Sequence, residues 1–258
     1  MVQLAEISWK EAKELFEKKS TVLIPVGSTE QHGPHNPLGT DHLLAAAFGK
    51  AVGDKTGLPV LPVTPVGVSE HHRQFTGSLW VDPPVFRDYM LNVAIAASSH
   101  GADKIVFING HGGNTASLLE VCESLRRGYD IFGCIIASYP PSMTQHDGHA
   151  GVGETSQNLF FHPHLVKMEN AVDTMQNMNL GPFEMTGLNK IGPAVFPWDT
   201  IDLTETGVLG SARTLVKSKN ASVEYGKELM EPYIEEASEF VLMLEEAKIE
   251  TLLCKPNK

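Results

Sequence analysis

The chain has 258 residues, 42% of them hydrophobic, and its 20 Lys plus Arg against 31 Asp plus Glu leave a formal net charge of −11. That size suits one α/β domain or two small ones with a substantial core, while an acidic chain without a basic block repels phosphate backbones and argues against nucleic acid as a partner. No apolar run approaches the roughly 20 residues that span a bilayer, which argues against a membrane partner.

The first twenty residues, MVQLAEISWKEAKELFEKKS, show no apolar signal-peptide region. Within them Ser8 and Glu11 form a capping-box pattern that opens a helix. Residues 21–27, TVLIPVG, form a compact apolar run and are expected to be a buried strand. DHLLAAAFGKAVGDKTG reads as a helix ending near Gly57, and LPVLPVTPVG as an irregular or edge strand because of its prolines. A helix follows from Asp82 as N-cap, with prolines in its first turn. DKIVFING is a second strand. NTASLLEVCESLRRG is an amphipathic helix with Leu118, Leu119, Cys122 and Leu125 on one face. YDIFGCIIAS is a further strand and GETSQNLFFH starts another helix. Residues 163–206 carry a weak pattern rich in Pro, Gly, Asn and Met, expected to be loops that shape a pocket or a subunit contact. The long helix of residues 221–253 contains Pro232, which should kink or interrupt it. Cys122, Cys134 and Cys254 lack CxxC spacing. They are read as buried thiols of a reducing compartment, the cytoplasm.

Alternating strands and helices predict a parallel sheet covered on both faces. Such sheets carry their functional groups at the carboxyl ends of the strands, and three of those ends are unusual. After the first strand comes GSTEQHGPHNPLGTDH. Glu30 and His32, two apart in extended chain, point the same way. Asp41 follows at the start of the next helix, as a ligand or as its N-cap. Nothing in the spacing favours His35 or His42. After the second comes NGHGGN, with His111 between glycines that permit close approach. After the third comes SMTQHDGHAGVGETS, with His146, Asp147, His149 and Glu154. Three such clusters at one sheet edge predict a metal site. Its oxygen and imidazole donors suit Zn, Mn, Fe or Co. Asp41 is placed to bridge two ions, an arrangement suited to hydrolysing an amide-like bond.

GSTEQHGPHNPLGTD, NGHGGN and HAGVGETS, in this order, resemble the creatininase (creatinine amidohydrolase) family over roughly residues 5–240. The resemblance implies a three-layer α/β/α sandwich around a mainly parallel sheet and hydrolysis of a non-peptide or cyclic amide C–N bond. It also implies two divalent metal ions per subunit (Zn, Mn or Fe), a small-molecule amide substrate and a homo-oligomer, a hexamer. Glu30 and His111 would hold one ion and His32 the other, with Asp41 between them. His149 would give a proton to the leaving nitrogen. Residues 1–258 are read as a single domain of this kind.

Creatinine-hydrolysing members follow the histidine matching His111 with an aromatic residue and a Glu ligand. Here those positions are Gly112 and Gly113, and Glu154 is expected to complete the second ion's sphere or to act as a base. The Trp residues expected around creatinine are absent from PPSMTQHDGHAG, which argues against creatinine. Other members act on a formamidopyrimidine nucleotide or on a peptide precursor of a redox cofactor. Arg73 and the GHGGN backbone are the candidates for a phosphate pocket. Ser69, Glu70, His71, His72 and Arg73 are expected to line the substrate side together with Gly112 and Gly113. His149 is expected to titrate near neutrality, with activity falling below about pH 6. A non-catalytic binding protein with a structural metal is the rival reading; structural zinc sites are usually closed and often thiolate-rich.

Overall fold

In the computed structural model, which describes residues 3–141, 143, 148–210 and 215–253, the chain builds a parallel sheet in the order β1-β2-β3. The strands are β1 (Thr21–Val26), β2 (Lys104–Asn109) and β3 (Phe132–Ala137). Every residue of β1 and β2 is buried, as continuous apolar runs require in a sheet covered on both sides. The proline-rich segment after the first crossover lies along the free side of β1 through isolated parallel bridges at Val60 and Thr64.

Eight helices surround the sheet among the described residues. α1 (Trp9–Phe16) opens with the Ser8–Glu11 capping box. α2 (Thr40–Thr56) ends on Gly57 at φ 71°, a left-handed cap that suits glycine. α3 (Pro83–Ser98), α4 (Thr115–Gly128) and α5 (Val152–Phe161) follow. The short α6 (Thr200–Leu203) precedes α7 (Val223–Glu246) and α8 (Ile249–Leu252). Pro232 sits inside α7 without ending it.

Strand residues alternate between two cores. Leu23, Val106 and Ile108 pack on Phe48 and Val52 of α2 and on Met230, Ile234 and Val241 of α7. Val22, Ile24, Ile105 and Phe107 pack on Phe86 and Met90 of α3 and on Leu118 and Leu125 of α4. The result is the α/β/α sandwich. Each fully buried large side chain contributes about 1.5–3 kcal/mol of transfer free energy. Leu119 departs from the expected face: it is 55% exposed, and Val121 takes the core position. Asp82 makes no side-chain cap on α3. Cys122 and Cys134 are half-buried, and burial pushes both thiols up to about 12. His146, Asp147 and Cys254 lie outside the described residues.

The register explains why distant motifs meet. Val26, Asn109 and Ala137 stand side by side at the last rung of the sheet. The loops that follow the three strands therefore leave from one edge. Over that edge sits a lobe built from residues 173–209, containing two hairpins with two-residue strands and α6. No helix among the described residues is long and apolar enough to cross a membrane.

Candidate active site

The backbone sets the acidic cluster first. Glu30 is pinned by its N–H on the Leu38 carbonyl at 2.8 Å. Asp41 is not an N-cap: Gly39 holds that position, and Asp41 is the second residue of α2, with its side chain turned inward. Two glycines permit the close packing here. A Cβ at Gly110 would overlap the Asp41 carbonyl, and one at Gly113 would overlap both the His111 ring and the Val68 carbonyl.

Glu30, His32, Asp41 and His111 come together almost fully buried, at 0, 0, 2 and 4% exposure. Two histidines keep one ring nitrogen on a backbone carbonyl. His111 Nε2 lies 3.0 Å from Val68 O, and His32 Nδ1 lies 3.2 Å from Glu30 O. A carbonyl only accepts, so these nitrogens donate and the opposite nitrogens face the carboxylates. His111 Nδ1 is 3.1 Å from Glu30 Oε2 and 3.2 Å from Asp41 Oδ2. His32 Nε2 is 3.0 Å from Asp41 Oδ1 and 3.5 Å from Glu154 Oε1.

These approaches are close but lack hydrogen-bond alignment. Both Glu30 oxygens, Asp41 Oδ2 and His32 Nε2 have no hydrogen-bond partner. Leaving buried carboxylate oxygens unsatisfied costs several kcal/mol. Donor atoms about 2.0–2.2 Å from one shared ion stand roughly 3.3 Å apart, near the spacings seen here. Glu30–Asp41–His111 and His32–Asp41–Glu154 each place their donor atoms within 4.8 Å of one another. Glu30, His32 and His149 form a third such group. The donor set fits divalent cations, and no thiolate is among it.

The local fields follow from this packing. Burial pushes the Glu30 carboxyl up, but His111 and His72 outweigh it and hold the group well below the carboxylate range. Burial likewise lowers His32 and His111, and their carboxylate neighbours raise both well above the usual imidazole value. Glu154 falls to about 2, where His32 outweighs burial. His149 is driven to about 3, by burial first and then by the charges of His32 and His72. The expected titration of His149 near neutrality is therefore corrected: its imidazole is neutral at pH 7. Its Nε2 is engaged by Gln31, with the backbone carbonyl and the side-chain amide nitrogen each at 2.8 Å. Nδ1 is 3.9 Å from Glu30 Oε1.

A cavity of about 770 Å³ opens over this cluster. His71, Gly112, Gly113, His149 and Glu154 line it, as do Glu30, Asp41 and His111. Ser69 and Glu70 do not. The Ser69 hydroxyl is buried between Ser28 Oγ, at 2.8 Å, and the Leu79 carbonyl, at 2.9 Å, while Glu70 is exposed. His35 and His42 are held on Thr155 Oγ1 and Ser28 O, each at 2.9 Å. His71 is lowered to about 4, chiefly by burial. His72 is more central than its sequence context indicated: Nε2 is 3.1 Å from Glu30 Oε1 and Nδ1 is 2.7 Å from Thr200 Oγ1. Trp198, Leu188 and Asn189 of the lobe also line the cavity, from a segment whose sequence marked no site residue.

A parallel sheet with a buried histidine–carboxylate cluster at its carboxyl edge is an α/β/α fold carrying donor groups suited to divalent cations. A family profile described as Creatininase: Creatinine amidohydrolase matches residues 5–241, and the chain belongs to that family. It is 32% identical over 221 residues to the mycofactocin precursor peptide peptidase of Mycobacterium ulcerans, covering 82% of each chain. It is 28% identical over 244 residues to the creatinine amidohydrolase of Pseudomonas putida, covering 84% of this chain and 90% of the relative. A crystal structure of creatinine amidohydrolase superposes with a TM-score of 0.78 at 24% identity, covering 96% of this chain and 99% of that one, which establishes the common fold.

Proposed function

We propose that residues 1–258 act as a single amidohydrolase domain that cleaves an amide C–N bond of a small molecule with two divalent cations. Glu30, Asp41 and His111 would hold one cation, and His32, Asp41 and Glu154 the other. The observation that carries this reading is Asp41, whose Oδ2 faces His111 while its Oδ1 faces His32. A carboxylate presenting opposite oxygens to two histidines is built to bridge. Bound there, such cations would supply Lewis acidity toward the amide carbonyl and toward water. Zn, Mn and Fe all suit the donors.

The chain's own groups supply the rest. His149, neutral at pH 7, takes a proton from the attacking water at Nδ1 and passes it to the departing nitrogen. Gln31 fixes the ring's orientation from the other side. Gly112, where an added Cβ would meet nothing within 4 Å, leaves the cavity open for the substrate, and Gly113 lines it close against the His111 ring. The experiment is metal analysis of the purified protein, followed by a panel of cyclic amides, formamides and short peptides with and without chelator. Turnover of no amide by the metal-loaded protein would remove the reading.

A peptide substrate is supported by the 32% identical relative and by a cavity of about 770 Å³, roomy for a small cyclic amide. The formamidopyrimidine-nucleotide reading is less supported, because Arg73 is paired with Asp199 rather than facing the cavity. Formate release would restore it. The proposal includes a cytoplasmic homo-oligomer, a hexamer, with the exposed Val85 and Tyr89 of α3 and Leu119 of α4 as contact surface. Light scattering measures that state directly.

A further inference from the structure

The lobe touches the turn at residues 70–74 through three consecutive residues. Trp198 packs edge-on against His71, with ring centroids 5.4 Å apart. Asp199 accepts from Arg73 Nη1 at 2.7 Å and, through its other oxygen, from Gln74 Nε2 at 2.7 Å. Thr200 meets His72 at 2.7 Å. The lobe has only a small core of its own, Met178, Met185 and Leu203 with partly buried neighbours that include Trp198. This short interlock, together with that small core, sets where the Trp198 ring stands relative to His71.

Trp198 stands over the cation-fitting cluster by way of His71, whose ring stacks on His111 with centroids 5.7 Å apart. The upper cavity wall is Trp198, Leu188, Leu209, Met143 and Tyr139, and no Lys or Arg lines the cavity among the described residues. Arg73, the cation nearest in sequence to the lining turn, has both terminal nitrogens on Asp199. Such a wall favours a flat, uncharged group and gives nothing to a phosphate.

We propose that Trp198 is a specificity-determining residue that receives a flat, uncharged group beside the scissile amide, and that Asp199 is the positioning residue that holds it there. The substrate class rests on the amidohydrolase reading. The positioning claim rests on the interlock alone.

The test uses the metal-loaded protein with Trp9→Phe and Trp80→Phe, which leaves Trp198 as the sole tryptophan of the three in the chain. Fluorescence titration with benzamide, acetamide and 4-carbamoylphenyl phosphate reads binding without turnover. Benzamide should quench Trp198 and bind at least about tenfold tighter than either of the others, the scale of one aromatic packing contact plus its buried area. Asp199→Asn should shift the free emission maximum and weaken benzamide about tenfold, with metal content and acetamide binding unchanged. Asp199→Glu should recover benzamide binding to within about threefold. Trp198→Leu in the unaltered background, read by calorimetry, should abolish the preference for benzamide. Equal binding of the three probes, tighter binding of the phosphate, or an Asp199→Asn protein with unchanged emission and benzamide affinity would each overturn the proposal. Discrimination without hydrolysis of any amide would instead remove the amidohydrolase reading and leave the Trp198 assignment standing.

Discussion

The carboxyl edge of the sheet and the lobe of residues 173–209 face the same cavity from opposite sides, and they are held by different forces. The edge is anchored by β1 and β2, in which every residue is buried between two apolar cores. The lobe's two hairpins have strands of two residues, largely exposed; it docks on the turn at 70–74 through side-chain hydrogen bonds and one ring contact, and at its far end through the Leu209 N–H on the His149 carbonyl. Close-packed interiors do not deform gradually, so the edge can hold carboxylates at fixed spacing against their mutual repulsion. A polar interlock can be rebuilt by a few substitutions without disturbing the core. One scaffold can thus keep its chemistry while changing its substrate.

The comparison breaks most sharply if the edge is not the seat of the chemistry. Asp41→Ala should lower turnover by about 10²–10³-fold or more, the scale of losing a preorganised electrostatic group, and should release both cations in metal analysis. Retained metal with full activity would move the site elsewhere. Glu154→Gln sharpens the same point. Loss of one cation per chain would make it a ligand, whereas two retained cations with lost activity would make it a base.

Stability measurements separate the two regions next. Phe107→Ala under the edge should cost about 3–5 kcal/mol in denaturant unfolding. Phe183→Ala in the lobe, where Phe183 is 57% exposed, should change stability by no more than about 0.5 kcal/mol. Similar losses would mean that the lobe is part of the core. Each cation at about 100 times its dissociation constant should add about 2.7 kcal/mol by linkage, read as a rise in Tm with metal.

The smallest effect concerns the half-buried thiols behind the sheet. Cys122 and Cys134 are raised to about 12, while an unfolded thiol ionises near about 8.5. Below that lower value both states are protonated and the thiols do not affect stability's pH dependence. As pH rises from about 8.5 to 12 only the unfolded state ionises, so stability should fall over that window. In a Cys254→Ser protein at pH 8, thiol reagents should label the native fold far more slowly than the denatured chain. Rapid native labelling would show that these thiols are accessible.

Much of the edge was legible before the fold. TVLIPVG and DKIVFING are short apolar runs ending in glycine, and both are strands. The three motifs that follow the strands do converge, because strands in matched register end on one line. Other features depended on neighbours far away in the chain. Leu119 has the hydrophobicity of a core residue, but it lies outside the core that α3 and α4 share and is more than half exposed. His72 sat in a run of polar residues with no diagnostic spacing, and its place beside Glu30 comes from the fold around Gln31 and Thr200. Ser69 looked available, yet it is absorbed by Ser28 and Leu79. The hairpins of 173–209 are too short to leave a periodic pattern.

By itself the sequence determined the layered architecture and the chemical kinds of group at the sheet's edge, because hydrophobic period and glycine placement are local properties of the chain. Tertiary structure decided which nitrogen each histidine turns toward the carboxylates and that Asp41 shows an oxygen to each side. It also decided that His149 is neutral and that Trp198 stands opposite. Those outcomes depend on burial and on charges brought within a few ångströms by packing, and no stretch of sequence contains them.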